Sequence, residues 1–235
     1  MPEQIAVFAQ QDAYGDAGFT GVEKAIRSLR GGNETPILRL NYQRNTVDVD
    51  DAVVQLQQGN AQLQQKRHIP IKAVIMVPAY RAAAKFIEKT RNLYPDMIYT
   101  SVSFVGSTAL ADELMLLGKK YVTGVIVTQV VPALDGHSSL VLDYKSALAK
   151  YFPGQAPDYV SLEGYVDANV LIAALQRSGP QLDTEKLVGT LENLRDLDIG
   201  LGTPVTFSRS DHQGVHKVWA TQLDETGHYQ PINLQ

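Results

Sequence analysis

Three short segments carry the side chains best suited to hold a small polar ligand: Gln10 to Tyr14, Pro78 to Tyr80 and Ser101 to Ser107. Each follows an apolar run and precedes a stretch with helical spacing, so each reads as the loop at the carboxyl end of a strand. In a parallel sheet those ends share one edge, and ligands settle in the crevice outside it. Tyr14, Tyr80, Ser103 and Phe104 are therefore expected to face one cleft. The phenol rings offer stacking surface with a polar tip, while serine hydroxyls and loop amides offer hydrogen bonds. Each residue alone could merely fill its loop; their convergence on one edge favours a site.

Other chemistries find less support. Gly15-x-x-Gly18-x-x-Gly21 follows a strand and opens a helix, but the spacing is not G-x-G-x-x-G. Asn41 and Tyr42 stand where a dinucleotide fingerprint needs an acidic residue, so the glycines are read as serving the turn and close helix packing. His212 and His216 are four apart, a metal-binding spacing on a helix, yet Gly214 with Ser208, Ser210 and Asp211 indicates a hydrogen-bonded turn. The chain has no cysteine, which excludes disulfides, thiol catalysis and cysteine metal sites. There is no G-x-S-x-G elbow and no Tyr-x-x-x-Lys pair. Asp143, Glu163, Asp167 and Glu192 fall at helical surface spacings, where a solvated face is the expectation. No catalysis, cofactor or metal is expected.

The elements that must position the loops follow from periodicity. Ile5 to Ala9 is a continuous apolar run, and Gly18 to Leu29 has helical spacing ended by Gly31-Gly32-Asn33. Pro36 to Leu40 reads as a strand and Tyr42 to Asp48 as polar loop. Asp50 or Asp51 is expected to cap a helix carrying Val53, Val54, Leu56 and Leu63, with Gly59 and Asn60 weakening its middle. Ala73 to Val77 is the clearest buried strand. Tyr80 to Leu93 follows as helix, Ile98 to Phe104 as strand, Ser107 to Leu117 as helix capped by Ser107 or Thr108, and Val122 to Val131 as strand. Strands alternating with helices predict an α/β fold with a doubly wound parallel sheet, since parallel neighbours need a helical crossover.

After Pro132 the rhythm changes. Ser138 to Tyr151, Ser161 to Ser178 and Thr184 to Leu194 read as helices, and sheet signal returns only at Val205 to Phe207 and Val218 to Leu223. The middle helix is apolar on more than one side, through Leu162, Val166, Val170 and Ala173 on one stripe and Tyr165, Ile172 and Leu175 on others, so it expects cover from several neighbours. The sequence supplies helices for a second sheet without most of that sheet. Residues 3–131 are thus expected to form an α/β domain, and 132–235 a helical segment with returning strands. Asp135 to Ser138 is the expected boundary or hinge.

At 235 residues, with 44% hydrophobic and 20% charged residues, the chain can bury one large core or two small ones. Its net charge of −4 and scattered Lys and Arg argue against nucleic acid as a partner. No apolar run approaches the ~18 residues that would span a membrane, and Met-Pro-Glu-Gln lacks the features of a signal peptide.

The chain resembles class I periplasmic binding proteins, specifically the leucine/isoleucine/valine-binding family of ABC-transporter receptors. The resemblance runs from Ile5 to about Pro231. It rests on the order and spacing of Asp12-Ala-Tyr-Gly15, Ser103-Phe-Val-Gly-Ser107, Gly124 to Pro132, Tyr159-Val-Ser-Leu-Glu-Gly-Tyr165, Asp198-Ile-Gly-Leu-Gly202 and Phe207 to Gly214. It implies two Rossmann-like lobes, joined by hinge strands, that close on a ligand. Ile5 to about Thr128 would be most of the C-terminal lobe, and the helices from Ser138 to Leu194 part of the other, whose sheet would come from N-terminal sequence absent here.

The resemblance further implies ligand contacts at Tyr14, at Ala79 and Tyr80, and at Ser103, where amino-acid-binding members often carry an acid that pairs with the ligand's ammonium. Phe104 joins them from the reading of the loops. The implied function is the solute-binding component of an ABC uptake system, with a small amino acid or related metabolite as ligand and a permease as partner. The implied location of the parent protein is periplasmic or extracellular. Alternatives are a ligand-sensing or oligomerising module of a signalling receptor, dimerising through exposed helices, and, third, a nucleotide-dependent enzyme.

Overall fold

The computed structural model describes residues 1–233. The chain divides into two compact units, one made of 1–128 and the segment from Ala220 onward, the other of Gln129–Trp219. The chain passes from the first to the second at 128/129 and back at 219/220.

The first unit is built on a seven-stranded sheet of order β2-β1-β3-β4-β5-β6-β7. Its strands are β1 (Ile5–Gln10), β2 (Leu38–Tyr42), β3 (Ala73–Val77), β4 (Ile98–Val102), β5 (Ile126–Gln129), β6 (Trp219–Leu223) and β7 (Tyr229–Ile232). The pairs from β2 through β5 are parallel, as the alternation of strand and helix predicts, and β6 and β7 form an antiparallel hairpin. The sequence reading carried the returning strands with the helical segment; here they hydrogen-bond into the first sheet, and Thr221 Oγ1 donates to the Val127 carbonyl at 2.8 Å.

The helices of this unit are α1 (Ala13–Leu29), α2 (Asp50–Arg67), α3 (Tyr80–Arg91), α4 (Ser107–Leu117) and the short α5 (Lys119–Val122). Alternation along β1 sends Ala6 and Phe8 into a core shared with α2, α3 and α4, and Val7 and Ala9 into a smaller one shared with α1. Phe8 is the centre of the larger core: its ring stacks on Phe86 at 4.3 Å and tilts against Tyr42 at 5.2 Å. Because β1 connects outward to β2 while β3 connects the opposite way to β4, the winding reverses between β1 and β3. The crevice at such a switch point lies outside the carboxyl ends of those two strands.

Several boundaries differ from the periodicity. Tyr42, expected in loop, is the last residue of β2 and buried. Asp50 and Asp51 lie in the first turn of α2, whose N-cap is Val49. Gly59 and Asn60 do not interrupt that helix: Gly59 packs so closely on Leu38 that a Cβ would collide, and Asn60 Oδ1 accepts from Ile71 N–H at 2.8 Å. The strand expected to reach Phe104 stops at Val102, and Ser103–Val105 is a 3₁₀ turn ended by Gly106 at φ 84°. Gly106, not Ser107 or Thr108, is the N-cap of α4. The run from Val122 to Val131 is split, since Val122 ends α5 and Gly124 turns the chain at φ 83° before β5 begins.

The second unit contains α6 (Ser139–Tyr151), α7 (Tyr159–Ser178) and α8 (Thr184–Glu192), each N-capped by a side chain, from Ser138, Asp158 and Asp183. Tyr144 ties α6 to the start of α7: its hydroxyl accepts from Asp158 N–H at 3.1 Å and bonds Ser161 Oγ at 2.5 Å. Val205 to Phe207, expected as a strand, yields only an isolated bridge from Val205 to Leu197.

Candidate ligand-binding wall at the sheet switch point

The loop after β1 is organised by Asp12. Its side chain caps α1, Oδ1 accepting from Tyr14 N–H at 3.1 Å and Gly15 N–H at 3.2 Å. Oδ2 accepts from Gln10 Nε2 at 2.6 Å and lies 3.6 Å from Arg44 Nε. The Gln10 hydrogen bond, then those of the helix amides and the Arg44 charge, hold this carboxyl below the ordinary aspartate range. Gly15 follows because α1 starts against the strand it has just left: a Cβ there would collide with the Gln10 carbonyl, and one at Gly18 with the Val77 methyls. A Cβ at Gly21 would meet nothing within 4 Å. Two of the three glycines thus serve close packing, as expected, and the third does not.

From Gln10 the network runs across the sheet edge. Tyr42 Oη donates to Gln10 Oε1 at 2.8 Å and accepts from Ala79 N–H at 3.1 Å. The carboxyl ends of β2, β1 and β3 are thereby fastened by one buried phenol, whose ionisation is pushed up by burial.

Tyr14 leaves the first turn of α1 half-buried, and its ring meets Phe104 at a centroid distance of 4.8 Å and a tilt of 49°. Phe104 sits on the 3₁₀ turn after β4 and is 76% exposed. The Tyr14 hydroxyl itself is buried without a hydrogen-bond partner among the described residues, and burial, followed by Tyr42 and Asp12, raises its pKa strongly. Tyr80 opens α3; its ring edge lies 3.8 Å from where a Cβ on Gly106 would stand, so the turn after β4 also abuts the loop after β3.

The structure therefore brings Tyr14 to Phe104 and Tyr80 to the Ser103–Gly106 turn. Ala79 contributes its backbone N–H, and Ser103 gives its carbonyl to Gly106 N–H at 3.1 Å. Sequence reasoning missed Tyr42 and the bridging role of Gln10. An aromatic at the end of a strand whose carboxyl edge was already under suspicion was the available signal.

The two histidines enter separate pairs: His212 Nε2 with Glu192 Oε1 at 3.1 Å and His216 Nε2 with Asp211 Oδ2 at 2.9 Å. Among the described residues no group of three His, Cys, Asp or Glu is placed to hold a metal ion.

The family model for periplasmic binding proteins matches residues 2–228. The chain belongs to the periplasmic binding protein family. Among solved structures, a possible leucine/isoleucine/valine-binding protein from Rhodopirellula baltica is 35% identical over 99% of this chain, with a TM-score of 0.85. A substrate-binding periplasmic protein from Ralstonia solanacearum is 24% identical over 97% of the chain, with a TM-score of 0.78. A branched-chain amino acid ABC transporter protein from Thermus thermophilus, solved with bound valine, is 14% identical over 97% of the chain at a TM-score of 0.70 and shares the fold. The chain spans 59%, 61% and 59% of these relatives' own lengths, respectively. Comparison with curated protein sequences gives no match. Members of this binding-protein family serve transport, and no described helix here is long and apolar enough to cross a membrane.

Proposed function

We propose that this chain carries one wall of the ligand cleft of an ABC-uptake receptor, located in the periplasm or outside the cell, that delivers a small metabolite to a permease. The observation that carries the reading is the Tyr14–Phe104 ring contact at the switch point, with Tyr80 and the Ser103 turn beside it. It supplies exposed aromatic surface and an unpartnered phenol hydroxyl where the fold leaves a crevice. The ligand favours the closed form of such a receptor by contacts it makes only there.

The wall also narrows the ligand. Asp12, the carboxylate of the first loop, is spent on helix amides, Gln10 and Arg44. Ser103 stands where the resemblance places an ammonium-pairing acid in amino-acid-binding members. A lost charge-assisted hydrogen bond is worth about 1.5–3 kcal/mol, which favours an amide, a carboxylate or an aromatic acid over a simple branched-chain amino acid.

Because one wall offers only part of a ligand's contacts, the chain alone should bind weakly. Nuclear magnetic resonance titration with a panel of amino acids and aromatic acids is expected to shift Tyr14, Tyr80, Ser103 and Phe104 only at high ligand concentration, and Phe104→Ala should abolish the shifts. Shifts confined to other residues would refute the site, and micromolar binding by the chain alone would refute the half-site reading.

A further inference from the structure

The first unit carries a second concave surface, at the edge of its sheet opposite the wall described above. Beside the amino-terminal ends of β1 and β2, between the last turns of α1 and α2, lies an open groove of ≈ 630 Å³. Its floor is aliphatic. Ile71 belongs to the larger core, and Leu38 and Leu63 pack against that core while remaining half-buried, so they show apolar surface to the groove together with Ile37.

The rim is charged and unbalanced. Three cations, Arg30, Lys66 and Arg67, stand there against two carboxylates, Glu3 and Glu34, a surplus of one positive charge. Glu3, whose side chain is 17% exposed, accepts from Arg30 Nη1 at 3.0 Å, and Arg30 also donates to Thr35 Oγ1 at 3.1 Å. Arg30 is thereby committed. Arg67 is not: its Nη1 stands 4.0 Å from Glu3, beyond hydrogen-bond reach, and its side chain is 63% exposed. Lys66 is exposed and enters no ion pair among the described residues. Two cations thus keep donors free beside an apolar floor.

One bank of the groove is free to adjust. Residues 34–37 lead irregularly from α1 to β2, and among the described residues their backbone makes no hydrogen bond to another backbone group. Shifting this bank to admit a chain therefore breaks no backbone hydrogen bond.

We propose that this groove is a second ligand site, built for a monoanion with an aliphatic chain, namely a medium-chain carboxylate. The carboxylate takes the free donors of Lys66 and Arg67, and the chain lies over Leu38 and Leu63. The volume falls within the range of small-molecule sites, about 300–1,000 Å³, and an apolar lining with a few convergent polar groups is their usual make-up. The charge count selects the head group. A single negative charge cancels the surplus, whereas a dianion would overshoot it beside Glu3 and Glu34, and a neutral chain would leave Lys66 and Arg67 unused. This site stands apart from the cleft reading, since it opens beside the start of β1 and the Tyr14 turn follows the end of that strand.

Octanoate and octanol, equal in chain length and different in charge, are the probes. Nuclear magnetic resonance titration with octanoate is expected to give saturable shifts at Leu38, Leu63 and Ile71. Octanol should bind there at least tenfold more weakly, because it forfeits the charge-assisted hydrogen bonds. Gln62 and Lys66 are exposed positions of α2 on the groove, so Gln62→Glu and Lys66→Glu leave the core intact. Each should weaken octanoate at least tenfold and leave octanol unaltered, and added salt should weaken octanoate alone. Equal affinity for the two probes would overturn the proposal, as would octanoate binding that Lys66→Glu does not change. Octanoate shifts centred on Tyr14 and Phe104 would overturn it too, by assigning the probe to the cleft wall.

Discussion

Tyr42 hydrogen-bonds Gln10 across the ends of two neighbouring strands, its hydroxyl donating to Gln10 Oε1 at 2.8 Å while accepting from Ala79 N–H. The phenol is buried, so removing its oxygen leaves both partners without replacement by water. Tyr42→Phe is expected to lower the unfolding free energy by about 1–3 kcal/mol, read from urea denaturation at unchanged slope. A loss of a few tenths would mean that water reaches the gap and that the three strand ends are held by other means.

Asp12 makes the stability of the same edge depend on pH. Its folded carboxyl titrates below the ordinary aspartate range, chiefly through Gln10 and then through the amides it caps. A depressed folded value means that its contribution is complete above the ordinary range and is lost as pH falls through the lowered one. Urea midpoints of the native chain and Asp12→Ala should therefore differ near neutral pH and converge in acid. Midpoints that remain equally far apart in acid would show that the cap does not act through its charge.

The glycines of α1 make opposite predictions within one helix. Gly15→Ala would drive its methyl into the Gln10 carbonyl, a backbone atom that cannot move aside, and should cost about 1–3 kcal/mol. Gly21→Ala meets open space and should stabilise by about 0.5–1 kcal/mol through helix propensity. Thermal midpoints of the two variants should move in opposite directions. If both rise, close packing is not why glycine stands at position 15.

What the sequence disclosed depended on whether one physical force acted alone. β1 and β3 were legible because continuous apolar runs bounded by turn residues have little other use, and from them the parallel sheet and its switch point followed. Tyr42 was not, since a strand's final residue looks like loop when polar residues follow, and only its partners across the edge show why it is buried. The β-branched stretch from Val122 to Val131 misled for the opposite reason: local propensity is uniform there, and Gly124 at φ 83° breaks it to bring β5 alongside β6. β7, which the periodicity did not assign, holds Pro231 at the sheet edge, where a proline is tolerated. The loops of the candidate site were legible from topology, whereas the Tyr14–Phe104 contact depends on a 3₁₀ turn that replaces the last residues of an expected strand.

Gly164 tests whether the middle of α7 needs glycine at all. It lies in an exposed turn with no heavy atom within 4 Å of an added Cβ, so Gly164→Ala should raise the stability of the chain by about 0.5–1 kcal/mol. Thermal midpoints of the native chain and the variant check this, because helix propensity is the one effect the added methyl has where nothing stands near it. An unchanged or lowered midpoint would show that the backbone at this turn is not free to accept a side chain.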